Sequence, residues 1–202
     1  MSNNPSRRSV LAGLFAGAPA LFALPRMALA LTEAQASDLI SRLVDEINGV
    51  LNSGVSEPAM YRQFEKIFDE YADVEIIARS ALGVAARSAS DAQMRAFINA
   101  FRGYIARKYG KRFREFIGGR LEVKAARAVK SFHEVRTTAY LKGEAPFEVT
   151  FLVSDKSGRN LFFNMYIEGV NMLASERAEI GAMLDMRGGN LDRLIEDLKT
   201  AG

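Results

Sequence analysis

The sequence predicts an α+β fold, because the spacing of its apolar residues changes twice along the chain. From residue 31 to residue 117 apolar residues recur every three or four positions, which is the period of amphipathic helices. Residues 121–167 instead contain short runs rich in β-branched and aromatic residues, separated by turn-forming segments. After Gly169 the helical period returns. This order predicts N-terminal helices, an antiparallel meander of four to five strands, and C-terminal helices, packed around an apolar interior.

Capping residues mark the helix starts. Capping-box patterns begin at Thr32 and Ser90, where a hydroxyl residue is followed three positions later by glutamine. Pro58 and Asp73 are expected to open two helices between them, and Asn190 is expected to cap the last helix. The longest helix therefore starts after Ser90, and its apolar stripe extends to the first pair of consecutive glycines.

Four apolar runs are expected to form the sheet, and the last run is unusual. It is apolar on both faces, with Phe163 and Met165 on one face and Phe162 and Tyr166 on the other. A sheet with one solvated face would alternate apolar and polar residues. This strand therefore needs helices on both sides or a cavity along one side. The four runs span 121–123, 135–141, 147–153 and 161–167.

The first thirty residues have the features of an export signal. An arginine pair precedes an apolar run of 15 residues, and the segment ends in the small-x-small pattern Ala-Leu-Ala. The run is too short to span ~30 Å of hydrocarbon as a helix. We therefore expect a signal peptide at 1–30, cleaved near Ala30, and a single domain at 31–202. Arg7 and Arg8 also resemble a twin-arginine motif, so the Sec and twin-arginine routes both stay open.

The formal net charge of +3 lies entirely in this leader. The leader carries three arginines and no acidic residue, which leaves 24 basic and 24 acidic residues in the rest of the chain. Charge is still uneven there, since residues 102–136 hold eleven Lys or Arg and three Glu. Such a segment indicates either a solvated surface or a patch for an anionic partner, namely lipid phosphates or an acidic protein surface. An exported protein seldom meets nucleic acid, so we expect no nucleic-acid partner.

Residue types that catalysis and metal binding need are scarce. The chain has no cysteine and one histidine, which excludes disulfides, thiolate sites and any site with two imidazoles. It contains no Gly-rich phosphate loop and no Gly-x-Ser-x-Gly elbow. We therefore expect a protein that is not an enzyme, with no catalytic residue, no metal and no cofactor.

Several segments carry a family resemblance. They are Phe64-x-x-Ile67-Phe68-x-x-Tyr71-x-Asp73, then Ile77-Ala78-Arg79-x-x-Leu82-Gly83, then Arg87-x-Ala89-Ser90-x-x-Gln93-x-x-x-Phe97-x-x-x-Phe101, and finally Glu168-Gly169-Val170-Asn171-Met172 followed by Arg177. In this order they resemble the MlaC/toluene-tolerance family (Ttg2-type auxiliary components) of periplasmic phospholipid-transport proteins, whose last block usually has the sequence EGVS. The resemblance covers roughly residues 40–200.

Three positions depart from that family's pattern. Ala86 and Asn160 stand where the family usually has tryptophan, and Asn164 stands where it usually has aspartate. The departures leave the cargo open between a phospholipid and another lipid, such as a hopanoid.

The resemblance implies a monomeric periplasmic carrier that holds lipid acyl chains in a deep apolar cavity. Such a carrier passes lipid between an outer-membrane lipoprotein complex and an inner-membrane ABC transporter, and so helps to maintain outer-membrane lipid asymmetry. Bound phospholipid would be its cargo. From residue type and position, we expect the strands to contribute Phe147, Phe151, Phe163 and Met165 to the cavity wall, and the helices to contribute Tyr104 and Met172. Basic residues expected to dock partners or lipid head groups are Lys108, Arg112 and Arg114.

Two other classes of function remain open. A pocket enzyme of the ketosteroid-isomerase kind would need a buried Asp or Tyr pair in an apolar site, and Tyr140, Asp155 and Tyr166 are the candidates. An interaction protein of the chaperone type would instead expose a large apolar patch and have no deep cavity. The geometry of the interior separates these classes from a carrier.

Overall fold

A computed structural model describes residues 31–113 and 116–202, so the expected signal peptide lies outside the described residues. Four helices come first, a five-stranded sheet follows, and two helices end the chain, which confirms the predicted α+β class. The helices are α1 (Glu33–Leu51), α2 (Glu57–Tyr71), α3 (Val74–Leu82), α4 (Asp91–Phe113), α5 (Met172–Met186) and α6 (Leu191–Leu198). The strands are β1 (Arg120–Val129), β2 (Phe132–Tyr140), β3 (Phe147–Ser154), β4 (Leu161–Ile167) and β5 (Val170–Asn171).

The predicted helix starts are confirmed by their caps. Thr32 and Ser90 each form both bonds of a capping box, and the Ser90 Oγ accepts from the Gln93 amide at 3.2 Å. The Asp73 and Asn190 side chains accept amide bonds from the first turns of α3 and α6 at 3.2 and 3.1 Å. These bonds satisfy amide groups that have no partner within the helix.

Helix α4 ends at Phe113, three residues earlier than its apolar stripe predicts. Phe116 lies in the turn that follows, where its ring packs edge-on against that of Phe147 with centroids 6.1 Å apart. Phe116 therefore belongs to the connection to the sheet, and its helical spacing is coincidental.

The sheet is a meander with strand order β1-β2-β3-β4-β5, and every neighbouring pair is antiparallel. The prediction for its first hairpin was too short, because β1 runs to Val129 and β2 starts at Phe132. Alanine and basic residues, which have weak strand preference, fill the second half of β1. A tight turn at Lys130, with φ at 52°, lets cross-strand pairing override that preference.

Both edges of the sheet are covered by polar contacts. On the β1 edge, the Asn48 side chain accepts from the Leu121 amide at 3.1 Å and donates to its carbonyl at 3.3 Å. Further along this edge, the Ala128 amide donates to Glu33. On the other edge, β5 has two residues, and the Asp73 amide donates to the Phe162 carbonyl at 2.8 Å. Backbone groups at these positions are therefore paired within the molecule.

A row of aromatic rings along α4 forms the centre of the core. Phe97 and Phe101 stack with centroids 5.7 Å apart, and Tyr104 continues the row at 6.1 Å. Both phenylalanines have 0% of their surface exposed. Helix α4 is thereby fixed against α2, α3 and α6, on which it packs.

Two asparagines join β4 to α5. The buried Asn164 donates to the Asn171 side chain at 3.0 Å, and its Oδ1 accepts from the amides of Met165 and Leu173. Asn171 caps α5 by accepting from the Ala174 amide at 3.0 Å. The start of α5 is therefore held directly on the last long strand.

Replacing Phe101 by alanine should lower the free energy of unfolding by about 3–5 kcal/mol, because a fully buried ring leaves a cavity. Urea denaturation measures this loss. Arg95→Ala, at an exposed position of the same helix, is the control and should change stability by less than about 0.5 kcal/mol. Equal effects of the two substitutions would contradict the packing described for α4.

Asn164→Asp should lower the free energy of unfolding by about 1–3 kcal/mol, because it removes a buried amide donor and places a carboxylate oxygen beside the Asn171 oxygen. Asn160→Asp makes the same chemical change just before β4 and serves as the control. Thermal and urea unfolding should separate the two variants; a harmless Asn164→Asp would mean that this junction does not need its hydrogen bonds.

Candidate functional site

A cavity of about 560 Å³ lies between the sheet and five helices. Its size is within the ~300–1,000 Å³ typical of small-molecule sites. Its lining is mainly apolar, with the polar side chains of Tyr109, Asn164 and three glutamates as exceptions. The helical residues of the wall are Leu43, Ile47, Phe64, Ile67, Phe68, Ile77, Ile105, Ala106, Tyr109, Met172, Leu173 and Glu176. The sequence predicts most of these residues as ordinary core, since periodicity does not distinguish a core from a cavity wall.

Strand register places the sheet side of the wall. Val149 lies opposite Ile167 and Phe151 lies opposite Met165, and all four line the cavity. A register shift after Leu152 breaks the alternation of β4, so that Phe162 and its neighbour Phe163 both line it. The shift sets which of the two packs in the core, since Phe162 lies opposite Val153 in the hydrophobic core, whereas the Phe163 ring packs edge-on against Phe132 with centroids 5.8 Å apart.

Five of the six residues expected in the wall line this cavity: Phe147, Phe151, Phe163, Met165 and Met172. Tyr104 does not line it. Its ring is 2% exposed within the core, and its hydroxyl donates to Glu179 Oε1 at 2.6 Å. Burial, reinforced by this bond, raises the pKa of Tyr104 well above its usual range, so the hydroxyl stays protonated.

The cavity opens at one end of the sheet. Glu144 and Ala145, in the turn between β2 and β3, and Glu168, after β4, are lining residues that are exposed. Because β4 ends where β3 begins, these turns share one edge of the wall. Carboxylates therefore stand at the mouth, while rings and aliphatic chains fill the interior.

A buried ion pair forms part of the wall between α4 and α5. Lys108 Nζ is 2.7 Å from Glu176 Oε1 and 2.6 Å from Glu179 Oε2. The Tyr109 hydroxyl also donates to Glu176 at 2.6 Å. Glu176 is 3% exposed, and its second carboxylate oxygen is buried with no hydrogen-bond partner. A buried carboxylate needs such a cation, so Lys108 acts here as its counter-ion.

Sequence reasoning missed Glu176, because the pair Glu176/Glu179 has the spacing of a solvated helix face. A signal was nevertheless present. Leu173, Glu176 and Ile180 follow one another at intervals of three and four, so Glu176 occupies the apolar stripe of α5. A charged residue within such a stripe indicates a buried, paired group.

Basic residues of the segment 102–136 are largely paired inside the molecule. Arg102 pairs with Asp69, and Arg107 donates to the Leu198 and Ala201 carbonyls at 2.6 and 2.9 Å. Other pairs join Arg120 and Lys124 to Glu122, and Arg127 to Glu134. Arg114 and the Arg112 side chain lie outside the described residues. Arg102 and Arg107 therefore link α4 to other parts of the fold, whereas Arg120 and Lys124 form surface pairs within β1.

The candidates for a pocket enzyme lie away from the cavity wall. The Tyr140 ring lies under the Arg120 guanidinium, whose Cζ is 4.2 Å from the ring centroid. Asp155 accepts a hydrogen bond from the Leu31 amide, and the Tyr166 hydroxyl accepts one from the Asn171 side chain at 3.2 Å. None of the three lines the cavity. Across residues 31–113 and 116–202, no three acidic or histidine side chains gather as a metal site would require. The helices of these same ranges include none with the length and apolar character of a membrane span.

Comparison with known proteins agrees with this architecture. The fold is similar to that of a phospholipid-binding protein from Ralstonia solanacearum, solved in complex with a phospholipid, with a TM-score of 0.69 and 18% sequence identity. That likeness covers 81% of this chain and 94% of the other. The sequence model described as "MlaC protein" matches residues 41–200, from within α1 to beyond α6. Apart from the first eight residues of α1, the helices, the meander and the cavity wall fall inside the match, and the chain therefore belongs to the MlaC family.

Proposed function

We propose that this protein is a lipid carrier that shelters the acyl chains of a phospholipid in its cavity. The observation that carries the proposal is the cavity itself, apolar inside and open at one end beside Glu144 and Glu168. The structural relative from Ralstonia solanacearum supports it, because that protein binds a phospholipid.

The physical chemistry of the wall suits this cargo. Each methylene group removed from water contributes ~0.8 kcal/mol, so enclosing even part of an acyl chain makes an insoluble lipid portable. Phenylalanine and methionine side chains adapt to chains of different shape. A carrier of this kind breaks no bond and needs no catalytic residue.

The proposal extends to the route of the lipid. After export and removal of the leader, the protein works in the periplasm as a monomer. There it exchanges lipid between an inner-membrane ABC transporter complex and an outer-membrane lipoprotein complex, which maintains the asymmetry of the outer membrane. The family membership and the leader pattern support this route.

Lipid that copurifies with the protein tests the proposal. The full chain would be expressed in a bacterium, recovered from the periplasm, and analysed by native mass spectrometry and by lipid extraction. We expect a complex with about one phospholipid per chain. If the copurified lipid belongs to another class, such as the hopanoids, the protein is still a carrier but its cargo is not a phospholipid. A lipid-free protein that also fails to extract lipid from phospholipid vesicles would refute the carrier.

Ala106→Phe should reduce lipid binding at least about tenfold, because Ala106 lines the cavity from α4 and a larger side chain there fills the space for acyl chains. Ala96→Phe adds the same ring at an exposed position of α4 and should bind normally. Uptake of a fluorescent phospholipid from vesicles measures both, and circular dichroism confirms that both are folded. Normal uptake by Ala106→Phe would show that lipid lies elsewhere.

We also propose that Arg112 and Arg114 contact an acidic partner surface or lipid phosphates, and that Lys108 contributes mainly through Glu176. The double reversal Arg112→Glu/Arg114→Glu should weaken binding to anionic vesicles or to the transporter, with stability retained.

Lys108→Gln should instead lower the free energy of unfolding by about 3 kcal/mol, because it leaves the Glu176 carboxylate buried without a cation. Adding Glu176→Gln should recover part of the loss. Urea unfolding measures stability, and flotation with vesicles measures docking. If Lys108→Gln were fully stable and defective in docking, Lys108 would belong to the docking surface instead.

A further inference from the structure

Asp155, in the turn between β3 and β4, accepts a hydrogen bond from the backbone of Leu31, which precedes it by 124 positions. Its Oδ2 is 3.1 Å from the backbone nitrogen of Leu31. Asp155 is half-buried, and Leu31 is buried, with 8% of its surface exposed, among the residues of the hydrophobic core. A carboxylate that is distant in sequence thus accepts a hydrogen bond from the residue that directly follows the Ala-Leu-Ala pattern.

The packed structure already includes this residue. Leu31 packs in the core, and the next residue, Thr32, already caps α1 with both bonds of a capping box. The sequence places a peptidase cleavage site between Ala30 and Leu31. The residue that we expect to become the N-terminus after cleavage is therefore already packed in the folded domain.

We propose that hydrolysis of the Ala30–Leu31 bond creates the ligand of Asp155, namely the new α-ammonium group of the chain. Water adds across the peptide bond, Ala30 leaves with a carboxylate, and the Leu31 nitrogen gains protons and a positive charge. The amide nitrogen offers Asp155 one neutral N–H group, whereas the ammonium offers three and a full charge. A charge-assisted bond of this type is roughly twice as strong as a neutral one.

The proposal requires cleavage at the Ala30–Leu31 bond and at no neighbouring bond. Shifting the terminus by one residue moves the ammonium by about 3.5 Å along an extended chain, which is beyond hydrogen-bond reach of Asp155. Processing therefore both frees the protein and completes its N-terminal anchor, independently of which lipid it carries.

The test starts from the full 202-residue chain, exported and processed by a bacterial host. Intact mass and N-terminal sequencing should give Leu31 as the first residue. Urea unfolding should then show that Asp155→Asn lowers the folding equilibrium constant of the processed protein about tenfold, the size expected for a lost bond to a charged group. Asp185→Asn, at an exposed position of α5, removes the same charge and should have little effect.

A second variant separates the contribution of the Leu31 ammonium from the other interactions of the Asp155 side chain. One asparagine is inserted between Ala30 and Leu31, so that cleavage after Ala30 leaves Leu31 with a neutral amide nitrogen. In this background Asp155→Asn should lower the folding equilibrium constant by less than about threefold. A natural terminus other than Leu31, or an equal cost of Asp155→Asn in both backgrounds, would overturn the proposal.

Discussion

An apolar volume kept open between a sheet and its helices is the constraint on which the rest of this structure depends. Empty space in a packed core costs about 24 cal/mol per Å³, so a fully enclosed dry void of about 560 Å³ would cost on the order of 10 kcal/mol. Such a void would cancel the stability of many domains, and the opening to solvent at one end makes the cost smaller here. A molecule that bound the folded wall and restored the missing contacts would add to the stability by mass action.

The elements around the cavity are held partly by packing outside it and partly by polar residues of its wall. Phe97 and Phe101 fix α4 from the side of the core, and Asn164 fixes the start of α5 on β4. Between these two helices, the Lys108–Glu176 pair gives the wall a direction-specific contact that apolar packing lacks. The cavity can therefore be soft inside, with methionine and phenylalanine side chains, while its frame remains rigid.

Features that depend on neighbouring residues were predicted well from the sequence. Features that depend on tertiary contacts were missed. The caps at Thr32, Ser90, Asp73 and Asn190 act within one helical turn, so sequence alone located them. The second half of β1 owes its conformation to pairing with β2, which no propensity reveals. Cavity residues such as Phe151 were predictable by type, whereas Tyr104 has the same character and points into solid core. Asn164, a departure from the family pattern, donates to Asn171, the residue that caps α5.

Paired sheet edges have a consequence for how the folded domain meets other protein molecules. An open edge invites a second chain to add a strand, and concentrated, freshly folded proteins aggregate by that route. Here Asn48 and Glu33 occupy backbone groups on the β1 edge, while β5 and Asp73 cover the opposite one. The open end of the cavity can then face other molecules without offering them, at these positions, a strand to continue.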